Sequence, residues 1–333
     1  MIILAHTDSQ AIRYDSIVKK IDISIITPCY NEEENVEECA FELKKIMQKY
    51  LPRISYEHIF IDNSSTDLTF TKLCSISKND KRIKIVRNSR NVGSMRNVWE
   101  GMKYCSGDYV VASLAADLQD PPRHIPEMYK ILKSSSALMV YGVMVDREET
   151  YFLKKLRKYY YILIAKLSET PIPLNHGEFL IADAKVVKSL LSSDDQFPYV
   201  RGLFAQTRVR SVAYPYKRVK RLKGKSGENF VTLVNHAING FISTSTLLPR
   251  LITASGITIA AASVLMGLFN LIGFLTENDK IISNGIPTIL ISMFFLSGMQ
   301  LLFLGILSEY VQAIYRQVRR TPAVFPIDII NFK

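Results

Sequence analysis

Two stretches without a single charged side chain, residues 251–276 and 281–308, constrain this chain more than anything else in it. Each exceeds the roughly 20 apolar residues that a helix needs to cross the hydrocarbon of a bilayer. Core helices of soluble proteins seldom run so far without a charge, and two in tandem are rarer still. Between the runs stand only Glu277, Asn278, Asp279 and Lys280, enough for a tight turn outside the hydrocarbon. A hairpin of two transmembrane helices, at about 251–276 and 284–308, is predicted. Arg250, the cluster at 217–225, and Arg316, Arg319 and Arg320 then lie on one side, whereas the turn carries Lys280 beside two acids. By the positive-inside rule the bulk of the chain and both termini are expected in the cytoplasm.

The rest of the chain is long enough to bury a core. Of 333 residues 48% are hydrophobic, and 42 Lys and Arg against 31 Asp and Glu leave a net charge of +11. That balance favours anionic partners: phosphates, nucleic acid or an anionic membrane face. The composition excludes a disordered, collagen-like or disulfide-stapled chain. Cys29, Cys39, Cys74 and Cys105 show neither zinc-site spacing nor a disulfide framework, so they read as small core residues in a reducing compartment. Residues 1–20 mix His6, Asp8, Arg13 and Asp15 with short apolar pieces and read as an N-terminal extension, not a signal peptide.

Residues 21–225 alternate strand and helix patterns. Short apolar, β-branched runs at 21–27, 56–61, 83–86, 109–114 and 138–145 predict strands. Helices are predicted over 32–50, where Val36, Ala40, Leu43, Met47 and Tyr50 form a stripe, from near Asp67, and over 95–105. The fold class is therefore α/β: a Rossmann-like, mostly parallel sheet covered on both faces. Ligands bind such sheets at the carboxyl ends of the strands. Polar clusters stand at three of those ends, 28–32, 62–67 and 117–120, and together describe one crevice. No GxGxxG follows the first strand, and Gly224-Lys225-Ser226 lacks the first glycine of a P-loop, Val219 standing there. Asp117 and Gln119 alternate, so in an extended segment both face one divalent cation, which in turn holds a diphosphate.

The motifs Thr27-Pro28-Cys29-Tyr30-Asn31-Glu32-Glu33, Ile61-Asp62-Asn63-Ser64-Ser65-Thr66-Asp67 and Asp117-Leu118-Gln119-Asp120-Pro121-Pro122 resemble those of family 2 glycosyltransferases with a GT-A fold. The paired apolar spans narrow the resemblance to polyprenyl-phosphate glycosyltransferases, such as dolichol-phosphate mannose synthase and bacterial GtrB-type enzymes. The resemblance implies an inner-membrane enzyme of bacterial type that moves a sugar from a UDP- or GDP-sugar to a polyprenyl phosphate. Asp62 suits a uracil or a guanine N–H equally, and a UDP-sugar is the donor expected. It implies that Pro28, Tyr30, Glu32 and Asp62 hold base and ribose, and that Asp117 and Gln119 ligate Mg2+ or Mn2+. Arg218 or Arg221 would meet phosphate, with Arg147, Arg201 and Lys225 as further phosphate contacts. Glu178 is the one acid near the expected acceptor side, as a base or in a structural role. The chain departs from the family at Ala115, Met144 and Leu180, where an aspartate and two arginines are usual. Two other readings stay open: transfer to a saccharide hydroxyl, which needs a base, and a non-enzymatic nucleotide-binding relative.

The basic run from Arg208 to Lys225 carries no acid and precedes a juxtamembrane segment at 226–250 and the first span, which favours a membrane surface over nucleic acid. Residues 151–167 interleave Lys and Arg with aromatics, as an interfacial helix or an amphipathic helix packed on the domain. Ser255, Gly256, Gly267, Gly273, Gly298 and Gly305 permit close helix packing within the hairpin or in a homo-oligomer. Residues 309–333 are expected to form a cytoplasmic tail.

Overall fold

A computed structural model describes residues 20–145, 155, 176–193, 195–196, 198–221, 223, 247–275, 286–319 and 324–332. Arg147, Lys225, the stretch at 151–167 apart from Lys155, the turn at 277–280 and most of 226–250 lie outside the described residues.

Strand β1 (Ile23–Cys29) is buried at all but Pro28, and β2 (Tyr56–Asp62) at every position. Near-continuous apolar runs of this kind belong to parallel strands covered on both faces. β1 pairs in parallel with β2 on one side and with β4 (Tyr109–Val111) on the other, and β2 pairs in parallel with β3 (Ile83–Asn88). Further out, β6 (His176–Asp183) runs antiparallel to both β4 and β5 (Met139–Val145), and β7 (Ser211–Lys217) lies parallel to β5. The eight-stranded order is β7-β5-β6-β4-β1-β2-β3-β8. The expected Rossmann-like, mostly parallel sheet is present, with strand ends displaced by one to three residues.

Helices α1 (Val36–Tyr50), α2 (Thr69–Asn79) and α4 (Ile125–Ser134) cover one face, where Leu43, Met47, Leu73 and Met128 close over Phe60. Helices α3 (Ser94–Met102), α5 (Ala184–Leu191) and α6 (Val200–Gln206) cover the other, where Trp99, Val187 and Phe204 meet Ile26 and Ile59. The α1 stripe is buried at Val36, Cys39, Ala40, Leu43 and Met47, the spacing of one helical face. All four cysteines are free thiols, Cys29 and Cys39 fully inside.

Helices α7 (Leu247–Leu275) and α8 (Ile286–Val318) hold the two uncharged runs. Neither is a buried core helix. Within them Leu251–Leu268 and Ser292–Tyr315 are apolar enough to cross a membrane and are not buried at all inside the protein. As a helix α8 runs on past the uncharged stretch, through Glu309 and Arg316 to Val318. Within residues 309–333, β8 (Pro326–Ile330) adds antiparallel to β3. Asn331 then donates to the carbonyls of Ser77 and Ile83, and Phe332 packs on Tyr104 and under Lys84.

Gly142 on β5 is required by its neighbour Tyr216 on β7. A Cβ there would stand 2.6 Å from the Tyr216 ring and 3.0 Å from the Phe179 carbonyl. Gly142→Ala is expected to cost about 1–3 kcal/mol of stability by overpacking, read as a lower Tm.

Candidate active site

The parallel ladder fixes where the polar clusters meet. Cys29 pairs with Asp62, and β4 lies on the opposite flank of β1, so the loops after β1, β2 and β4 leave the same sheet edge. The ends of β2 and β4 are two strand spacings apart, roughly 10 Å. Three non-glycine residues in the left-handed region turn these loops: Asn31 at φ 54°, Ser64 at φ 61° and Leu118 at φ 58°. Such conformations persist where surrounding contacts hold them. Here the Asn31 amide donates to Ser65, the Asn31 side chain accepts from the Thr66 amide, and the Glu33 amide donates to Asp67. Asn63 ties in the loop after β3 by donating to Asn91 and accepting from the Val92 amide.

Asp62 forms the floor. Its side chain is fully buried; Oδ1 accepts from the Ser65 amide, while Oδ2 has no hydrogen-bond partner. Burial raises its pKa, against the pull of Ser65 and Arg87. Beside it, Pro28 is partly buried and Tyr30 is exposed.

Acids and bases meet over the neighbouring strand ends. Arg221 Nη2 donates to both carboxylate oxygens of Glu32, at 3.0 and 2.8 Å, and its Nη1 lies 3.4 Å from Asp117. Burial raises the Glu32 pKa and the Asp117 charge adds to it, while Asn35 and Arg221 oppose the rise. Arg218 lies 3.4 Å from Asp120, which also accepts from the Tyr216 hydroxyl, and the Val219 amide donates to the Gln119 carbonyl. The segment leaving β7 is thus strapped across the ends of β4 and β1. Sequence reading missed the Tyr216–Asp120 contact, although alternating Tyr214 and Tyr216 on β7 signal it.

The expectation of an extended segment at 117–119 is corrected. Leu118 donates to the Ala115 carbonyl in a tight turn, and the Asp117 carboxylate accepts from the Gln119 amide. Among the described residues no three His, Cys, Asp or Glu side chains converge as a metal cage. The donor set still fits Mg2+ or Mn2+, which take oxygen ligands and are often held by one or two carboxylates plus substrate phosphates. Asp117 and the Gln119 amide oxygen are donors of that kind. Met144 and Leu180 are buried in the two cores, not turned to phosphate. Glu178 is half-buried near the amino end of β6, which lies at the site edge because β6 runs against β4 and β5. Arg201 on α6 holds the Tyr199 hydroxyl of its own turn.

A mostly parallel sheet whose carboxyl edge gathers Asp62, Glu32 and Asp117 beneath a basic strap is the GT-A plan of a glycosyltransferase. The family model described as Glycosyl transferase family 2 matches residues 24–191, and the chain belongs to that family. It is 30% identical over 310 residues to an uncharacterized glycosyltransferase of Synechocystis sp., covering 93% of this chain and 96% of that one. It is also 30% identical over 301 residues to the bactoprenol glucosyl transferase of Shigella phage SfII, covering 90% and 96%. A solved mannosyltransferase of Pyrobaculum calidifontis superposes with a TM-score of 0.47 at 17% identity, covering 91% of this chain and 89% of that one.

Two buried carboxylates make opposite stability predictions. Asp62, with its pKa raised, stabilises the fold fully only while protonated, and that contribution is lost as pH rises through the raised value. Glu57 is lowered overall: hydrogen bonds from Lys84, Ser24 and Ser106 outweigh its burial, so its contribution is present at neutral pH and lost on acidification. At pH 7–8, Asp62→Asn is expected to leave Tm unchanged or higher. Glu57→Gln is expected to lose about 3 kcal/mol, a deficit that shrinks in acid. Thermal unfolding across pH checks both.

Proposed function

We propose that this protein transfers a sugar, with inversion, from a nucleotide-diphosphate sugar to a polyprenyl phosphate at the cytoplasmic face of the inner membrane, and that the donor is UDP-linked rather than GDP-linked. The observation that carries this reading is the extent of the similarity to the bactoprenol glucosyl transferases. At 301 of 333 residues it is too long to leave out the helical hairpin. The return of β8 to the head's own sheet supports a topology in which the hairpin leaves and re-enters the same side of the membrane.

Each side chain has a chemical part in the proposal. The unpartnered Oδ2 of Asp62 accepts an imide N–H of the base, next to Pro28 and Tyr30, and Glu32 meets ribose hydroxyls. Asp117 and Gln119 would hold Mg2+ or Mn2+, which when bound neutralises charge on the departing diphosphate. Arg218 and Arg221 offer forked, charge-assisted donors to phosphate oxygens; Arg147, Arg201 and Lys225 are assigned to the acceptor phosphate. A lipid phosphate monoester has a second pKa of about 6, so it is largely dianionic near neutral pH and attacks the anomeric carbon without a general base. Glu178 is then dispensable for proton removal. Transfer to a saccharide hydroxyl would make it indispensable. Gly256, Gly267, Gly298 and Gly305 have open space where a Cβ would stand, which leaves room for a neighbouring helix in a homo-oligomer.

Full-length protein given radiolabelled UDP-sugars, Mg2+ or Mn2+ and undecaprenyl phosphate is expected to form a mild-acid-labile labelled lipid. No labelled lipid with any UDP- or GDP-sugar would falsify the proposal. Glu178→Gln is expected to retain most activity, while Asp117→Asn loses on the order of 100-fold. Thermal shift by a UDP-sugar is expected to need divalent metal; an equal shift in EDTA removes Asp117 from the ligand set.

A further inference from the structure

The charge closest to Asp62 comes from β3. Arg87 Nε lies 3.4 Å from Asp62 Oδ2, yet both atoms are buried without a hydrogen-bond partner. The contact is therefore electrostatic and leaves acceptor capacity on Oδ2 unused, although the atom is buried. Two other elements hold the guanidinium. The Phe70 ring of α2 stacks against it at 4.4 Å to the centroid, and Asp328 of β8 reaches Nη1 at 3.7 Å. Among the described residues the other ionisable groups facing Asp62 are Asp67 in the loop after β2, Cys29 on β1 and Cys74 on α2. Burial raises both thiols, so they stay neutral, and Asp67 repels the carboxylate.

We propose that Arg87 is a positioning residue for recognition of the donor base, and that Asp328, which joins the sheet only after the chain has passed through both apolar helices, holds Arg87 in place. The C-terminal strand is on this reading part of the donor site. The inference rests on Asp62 being the acceptor for a base N–H. An acceptor carboxylate must be ionised: protonated, it has lost part of its capacity to accept. Affinity for a uridine nucleotide then falls as pH drops through the Asp62 pKa. Removing Arg87 takes away a cation that favours the ionised form, so the fall begins at higher pH. Removing Asp328 also takes away a carboxylate that competes for Arg87, so it acts in the same direction only through the lost position of Arg87, and less strongly.

The test is titration of full-length protein in detergent with UDP by calorimetry, from about pH 5 to pH 8.5, for wild type, Arg87→Met, Arg87→Lys and Asp328→Asn. At pH 7 we expect Arg87→Met to weaken UDP binding by about 10-fold and to move the acid limb upward. Arg87→Lys should recover most of the loss, and Asp328→Asn should cost about 2–4-fold, the scale of a partly exposed ion pair. The KM for the sugar donor should follow these changes while kcat and the KM for lipid phosphate hold steady. A structural role alone would lower Tm and leave the pH limb where it is. If Arg87→Met fails to fold, the lysine and Asp328 variants carry the same test. Wild-type affinity and pH profile in the Arg87 variants overturn the proposal, and an Asp328→Asn protein identical to wild type at every pH overturns the part given to β8. A wild type that binds UDP beside such variants spares the assignment of Asp62; a wild type that binds no nucleotide sinks both.

Discussion

The parallel pairing of β1 with β2 on one flank and β4 on the other is the constraint from which the site follows. A parallel ladder brings successive strand ends to one edge, and three loops must leave there side by side. Each needs a residue in the left-handed region, and none of the three is glycine. A single such residue costs about 1–2 kcal/mol. The cross-loop hydrogen bonds of Asn31, Ser65, Thr66 and Asp67 offset this, at about 1 kcal/mol each. The turn chemistry is thus stabilised by the loops' proximity, and the proximity by the sheet.

Charge is arranged by the same edge. Glu32 and Asp117 come from loops on adjacent strands, and two carboxylates so placed repel each other. Arg221 stands between them, although it follows β7 at the far margin of the sheet. The basic segment therefore crosses several strand ends to reach its partners, pinned midway by the bond from the Val219 amide to the Gln119 carbonyl. A nucleotide diphosphate entering here would compete for Arg221 with the acids that now hold it. On the proposed assignment the strap and the donor site are two uses of one set of charges.

Much of this was legible in the sequence because the signals were periodic or local. The α1 stripe and the β-branched runs of β1 and β2 have the periods of elements sandwiched in a core. The clusters at 28–32 and 62–67 carry turn-forming residues at strand ends. What escaped depended on long-range pairing. β6 and β7 have strand-like composition, but their antiparallel and parallel placement is a property of the sheet. The turn at 117–119 escaped because alternation of Asp and Gln is the same in an extended segment and in a loop closed by Ala115 and Leu118. β8 is five residues with a proline at its first position, as suits an edge strand, and only pairing with β3 distinguishes it from a tail.

That last strand bears on how the head and hairpin are joined. A lone exposed edge on β3 would present unpaired N–H and C=O groups, which β8 covers with the chain's own terminus. The register sets Asp328 opposite Arg87, so the residue that closes the edge also faces the cation next to Asp62. Between β7 and β8 in the chain lie both apolar helices, so the sheet is completed only by a strand that follows them. A helix of 33 residues such as α8 is about 50 Å long, more than the hydrocarbon of a bilayer requires. On the proposed topology its last turns, beyond Ser308, reach past the hydrocarbon on the side where the sheet stands. On the proposed topology, anchoring at both ends of the hairpin restricts the tilt of the head more than a single tether would, and on the proposed site the strand at its outer edge pairs only after both helices have been made.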